Sequence, residues 1–113
     1  MKIKLLNLQL IYAMKNIIQS NLPQIQHLMR SHKVTHAYAF GSVVTGTMHP
    51  ESDVDFVITF NEGLDYKTYG DNYFNLLYAL QDLLNCEVDL VAEETLTNPY
   101  LLQSINTQKL QIL

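Results

Sequence analysis

Phe40-Gly41-Ser42, ten residues, then Asp53-Val54-Asp55-Phe56-Val57-Ile58 decides how this chain folds. The stretch reads as a strand, a tight Gly-Ser turn, a loop and a second strand with carboxylates at i and i+2. Side chains alternate faces along a strand, so Asp53 and Asp55 point the same way. Val54 and Phe56 then face the other side, toward a core. Two like charges on one face repel and need compensation. A divalent cation supplies it, because hard cations prefer clustered carboxylate oxygens. Beside a Gly-Ser turn that can approach a phosphate, the pattern reads as a metal–nucleotide site.

Outward from this stretch, the periodicity gives an α-β-β-α-β-α order with a possible terminal strand. Toward the N-terminus, Leu22-Pro23-Gln24-Ile25-Gln26-His27-Leu28-Met29 reads as a helix, with Ser20 or Asn21 as cap and Pro23 in its first turn. Ile25, Leu28 and Met29 share a face. Residues 35–40 read as a strand, and Gly46 and Pro50 punctuate the loop over 43–52. Residues 53–60 form the second strand and 61–70 a loop. From 71 to 85 the apolar residues Tyr73, Leu76, Leu77, Leu80, Leu83 and Leu84 fall at helical spacing, and Asn85 ends that helix. Glu87-Val88-Asp89-Leu90-Val91 is a third strand. Asn98-Pro99-Tyr100 opens a last helix, and 109–113 adds a short final strand. With no crossover helix between them, the strands at 35–60 pair antiparallel. The fold class is α+β, a small mixed sheet with helices packed mainly on one face.

The 113 residues make one domain, expected over 22–113, with 1–21 as a flanking segment or helix. At 48% hydrophobic, the composition is that of an ordered globular chain. The net charge of −4 argues against general nucleic-acid binding, which favours a basic face. A single cysteine, Cys86, precludes an internal disulfide and suits a reducing cytoplasm; it reads as a small packing residue rather than a reactive thiol. Leu5 to Ala13 is interrupted by Asn7 and Gln9 and is too short to span a bilayer. Met14 is a second candidate for the first residue.

Asp89 adds a third carboxylate. If its strand lies beside 53–60, Asp89 projects near Asp53 and Asp55. Three carboxylates can then hold one or two Mg²⁺ ions against a triphosphate, and Asp89 can accept a proton from an attacking hydroxyl. The plain alternative is a strand-end charge at the sheet edge. Gly41-Ser42 alone is an ordinary turn, and Asp-x-Asp alone is common at exposed strand starts. Their combination at this spacing is what carries the chemistry.

These motifs resemble those of the minimal nucleotidyltransferases, the MNT-type domains of the DNA polymerase β superfamily. That family's signature is a hydrophobic residue, Gly-Ser or Gly-Gly, about ten residues, then Asp-x-Asp. Phe40-Gly41-Ser42 and Asp53-Val54-Asp55 match it, and the third carboxylate falls on Asp89. Asn98-Pro99-Tyr100-Leu101-Leu102 with Ser104-Ile105 also resembles family members, and the likeness spans about 22–113. It implies a nucleotidyltransferase fold, with ATP as substrate and Mg²⁺ as cofactor. Gly41 and Ser42 would hold the nucleotide phosphates, and Asp53, Asp55 and Asp89 would serve as metal-binding catalytic residues. It further implies an antitoxin that transfers AMP to a tyrosine of a HEPN-family toxin, a cytoplasmic partner. One departure stands out. Many relatives carry a basic residue in the loop, as in Gly-Ser-x-Ala-Arg-Gly, whereas this chain has Gly41-Ser42-Val43-Val44-Thr45-Gly46. Thr45 brings no charge for a phosphate, and nothing in the sequence puts Lys33 or Lys67 in its stead.

Other residues read more plainly. His27, His32, His36 and His49 match no zinc spacing, although His49 or Ser52 in the loop could touch a substrate. Tyr66, Tyr69, Tyr73 and Tyr78 could stack on a base but read rather as helix core and partner surface. Two other functions stay open: an antitoxin that neutralises its partner by binding alone, which the uncharged loop favours, and a small-molecule nucleotidyltransferase, which would need a further helical domain or a homo-oligomer. Base preference and acceptor identity are not written in the sequence.

Overall fold

The computed structural model describes residues 17–40 and 54–113. Gly41, Ser42 and Asp53, with the rest of the loop, lie outside the described residues. Helical residues 17–20 lead through Asn21 into α1 (Leu22–Ser31), which carries Pro23 in its first turn. Asn21 stands at the cap position without a side-chain cap bond, its amide donating instead to the Ile17 carbonyl at 2.7 Å. Lys33, at φ 71°, turns the chain into β1 (Val34–Phe40). β2 (Val54–Phe60) follows, then α2 (Tyr66–Leu84), β3 (Val88–Ala92), a 3₁₀ turn (Glu93–Thr95), α3 (Pro99–Gln108) and β4 (Leu110–Gln111).

The four strands make one mixed sheet in the order β3-β2-β1-β4. β1 pairs antiparallel with β2 and with β4, as the short connection requires for the first pair. β2 and β3 run parallel, the expected result of a helix lying between them in sequence. α1 packs on β1, α2 on β3, and the two helices on each other. The main core lies under them. Ile25 and Met29 of α1 and Leu76, Leu80 and Leu84 of α2 meet Ala37, Ala39, Val54, Phe56, Ile58, Val88 and Leu90 of the sheet. Every second residue of β2 points into this layer. Asp55, Val57 and Thr59 therefore face the opposite side. Val57 and Ile105 are buried but stand outside the main cluster. The C-terminal segment is tied in by Gln26, whose amide donates to the Ile112 carbonyl at 2.9 Å.

One boundary moves substantially. The loop expected over 61–70 ends at Asp65, five residues earlier than the apolar stripe indicates. Asp65 is the N-cap: its carboxylate accepts from the Thr68 N–H at 2.7 Å, and the Thr68 side chain first and this N–H second lower its pKa. Gly70 sits inside the helix, where a side chain would meet nothing within 4 Å. The glycine thus marks no close approach, only a weak spot that tertiary packing tolerates. At the other end, Asn85 terminates α2 in the left-handed conformation, φ 52° and ψ 42°, with its N–H on the Gln81 carbonyl. Asn98 caps α3, accepting from the Tyr100 N–H at 2.9 Å. The first and third strands each shift by one residue from the expected bounds.

Candidate active site

The strand register builds the site. Asp55 of β2 lies directly beside Asp89 of β3 and opposite Phe40 of β1. In a parallel pair, residues in register put their side chains on the same face. Both carboxylates therefore emerge from the sheet face opposite α1 and α2. Asp55 is half-buried and Asp89 exposed. Phe40 is the residue just before Gly41-Ser42, so the end of β1 where the turn begins lies one strand from Asp55. Of the expected site residues, the fold brings together Asp55 and Asp89 and sets the start of the turn beside them. Asp53, Gly41 and Ser42 lie outside the described residues.

Adjacent strands lie about 4.8 Å apart, so two carboxylates in register crowd their negative charge. The neighbourhood registers this field. Tyr73 of α2 has its phenol pKa raised, first by burial and then by the charge of Asp89. Tyr73 donates its hydroxyl proton to the Leu90 carbonyl. Thr95 likewise donates to the Ala92 carbonyl, at 2.7 Å. These hydroxyls occupy two carbonyls of an edge strand and blunt it against adventitious pairing. A cleft of about 430 Å³ runs along this edge from Asp89, lined by Tyr69, Tyr73, Phe74, Val91 and Thr95. Of the four tyrosines weighed from the sequence, Tyr69 and Tyr73 pack against the core, whereas Tyr66 and Tyr78 are exposed. Cys86 also packs on the core, as a small apolar residue would.

Among the described residues no group of three or more His, Cys, Asp or Glu gathers to hold a metal. The Asp55–Asp89 pair is nonetheless a hard-oxygen donor set of the kind Mg²⁺ prefers, two carboxylates side by side on one sheet face. Missed by the sequence reading is the opposite flank of this face, where Tyr38 and Lys109 stand. The Lys109 ammonium lies 4.3 Å from the Tyr38 ring centroid. Alternation within 109–113 was a signal for it, but only the strand order says which strand the segment joins.

The described fold is a mixed sheet with Asp55 and Asp89 in register on the face opposite α1 and α2. The family model for polymerase β-type nucleotidyltransferases matches residues 23–113. The chain belongs to that family, and is a nucleotidyltransferase by class. A candidate protein adenylyltransferase of Methanocaldococcus jannaschii is 32% identical over 92 residues, covering 74% of this chain and 90% of that one. A second from the same organism is 33% identical over the same shares. Among solved structures, a toxin–antitoxin complex with AMP-PNP contains a chain 30% identical at TM-score 0.65, covering 82% of this chain and 73% of that one. A complex of tri-AMPylated HEPN toxin with MNT antitoxin, from Shewanella oneidensis, aligns at 27% identity and TM-score 0.60, over 84% and 71% of the two chains. No helix among the described residues is long and apolar enough to cross a membrane.

Proposed function

We propose that this chain transfers AMP from ATP to a tyrosine hydroxyl of a partner protein, a HEPN-family toxin, and thereby acts as its antitoxin in the cytoplasm. Residues 22–113 would form the catalytic domain, with 1–21 flanking it. The observation that carries the reading is the pairing of Asp55 with Asp89 in register on one sheet face. Relatives named for protein adenylylation, and neighbours in toxin–antitoxin complexes, support the acceptor class.

In this reading Asp53, Asp55 and Asp89 hold Mg²⁺, which supplies charge neutralisation for the triphosphate and the leaving group. Gly41 and Ser42 receive the phosphates through backbone N–H groups and the Ser42 hydroxyl. The acceptor oxygen attacks the α-phosphorus in line. One P–O bond forms, the bond to the β-phosphate bridge breaks, and pyrophosphate leaves with the electron pair. Asp89, exposed at the sheet edge, takes the hydroxyl proton. Most of the acceleration comes from positioning and charge, as in phosphoryl transfer generally.

The test combines the purified chain with ATP, Mg²⁺ and a HEPN-family toxin, and weighs that toxin by mass spectrometry. A mass gain of one or more AMP groups, absent with Asp55→Asn or Asp89→Asn, supports the transferase. Neutralisation of the toxin that survives both substitutions, with no mass gain, overturns it in favour of binding alone.

A further inference from the structure

We infer that Lys109 binds the triphosphate of the nucleotide from the far end of the row that holds Asp89 and Asp55, supplying a cation where the sequence from Gly41 to Asp53 has no Lys or Arg. The inference rests on the nucleotidyl-transfer reading above. A triphosphate lying against two or three carboxylates needs positive charge on its far side as well as a metal on its near side. Between Gly41 and Asp53 the sequence holds no Lys or Arg.

The register shows where such a charge stands. Asp89, Asp55 and Phe40 form one row across β3, β2 and β1. On the next strand Tyr38 pairs with Gln111 and Ala39 with Leu110. Lys109, just before Leu110, therefore continues the same row beyond Phe40. Ala37 and Ala39 are fully buried in the helix-covered core, so Tyr38 and Phe40 face the other way, with Asp55. The Lys109 ammonium sits 4.3 Å from the Tyr38 ring centroid, which puts it on that same face. Its hydrogen bond, to Asn106 Oδ1 at 3.5 Å, is long. Both contacts are with neutral groups, so neither spends the charge. Two strand spacings, about 10 Å, separate its backbone from that of Asp55.

The other cations among the described residues stand elsewhere. The chain has seven Lys and Arg. Lys2, Lys4 and Lys15 precede the described residues. Arg30 ends α1, and Lys33 adjoins Val34, which pairs with Phe60. That is the far end of β2, about 16 Å along the strand from Asp55. Lys67 lies in the first turn of α2, in the helical layer. Among the described residues, Lys109 is the cation in the row of the carboxylates. Its compact ammonium on a flexible stem suits a point contact with phosphate oxygens.

The experiment measures the affinity of the full chain for AMP-PNP and for AMP, both with Mg²⁺, by calorimetry at two ionic strengths. Lys109→Ala and Lys109→Gln are expected to weaken AMP-PNP about tenfold, to leave AMP within about twofold, and to reduce the salt dependence. Lys109→Arg is expected to keep most of the AMP-PNP affinity. Should Lys109→Gln, with an unchanged melting curve, bind AMP-PNP as the wild type does, the inference falls while the transferase reading stands. Equal losses of AMP and AMP-PNP would assign Lys109 a merely structural role against Tyr38 and also overturn it. A wild-type chain that binds neither nucleotide would sink the transferase reading itself, and the inference with it.

Discussion

At the scale of single residues, the proposed chemistry hangs on two carboxylates that the register makes neighbours. Asp55→Asn and Asp89→Asn keep size and hydrogen bonding but remove the charge that a metal requires. Each is expected to lower the AMP-transfer rate about 100-fold or more, measured as initial rate on the partner protein. Tyr73 makes a different contribution. Its hydroxyl satisfies the Leu90 carbonyl at the edge of β3. Tyr73→Phe is expected to cost about 1 kcal/mol in urea unfolding, the net worth of one such bond. Asp55 was legible from Asp-x-Asp taken together with Gly41-Ser42 at its spacing. The pairing of Asp55 with Asp89 was not, because 34 positions separate them and only the parallel β2–β3 pairing closes that gap.

At the scale of elements, α2 is bounded by two local devices at unlike legibility. Its C-terminus was readable, since Asn tolerates the left-handed region and the apolar stripe stops at Leu84. Asn85→Val, which forces a β-branched side chain to φ 52°, is expected to lower stability by about 1–2 kcal/mol, whereas Asn85→Gly holds or raises it; chemical denaturation distinguishes the two. Its N-terminus was misread, because Tyr66 to Gly70 lacks an apolar stripe and includes a glycine. The Asp65 cap and the packing of Tyr69 against Phe60, ring centroids 4.7 Å apart, extend the helix regardless.

At the scale of the whole molecule, one face of the sheet carries the main core and the other carries the Asp55–Asp89 pair. Phe56, fully buried at the centre of the helix-covered face, is the sharpest probe of the first. Phe56→Ala is expected to destabilise by about 3–5 kcal/mol, read from the urea midpoint at constant slope. Global stability should also respond to alkali. The Tyr69 pKa is pushed up to about 12, chiefly by burial and then by hydrogen bonding and charge from Glu94, against 10.0 for a free tyrosine. The folded state holds this proton more tightly than the unfolded chain. Its contribution is therefore complete below pH 10 and lost as the pH rises toward 12. Tyr69→Phe is expected to flatten the decline of stability across that window, followed by denaturation at fixed pH values.

The amino-acid sequence by itself determined the element types, the alternation that separates core from carboxylates on β2, and the family through Gly41-Ser42, Asp53-Val54-Asp55 and Asp89. These are local or short-range properties, set by periodicity, caps and spacing. Only the tertiary structure decided that Asp89 lies beside Asp55, that β3 is an edge strand closed by tyrosine and threonine hydroxyls, and that Lys109 stands in the carboxylates' row. Strand order and register arise from how separated segments share one core, and no window along the chain contains that information.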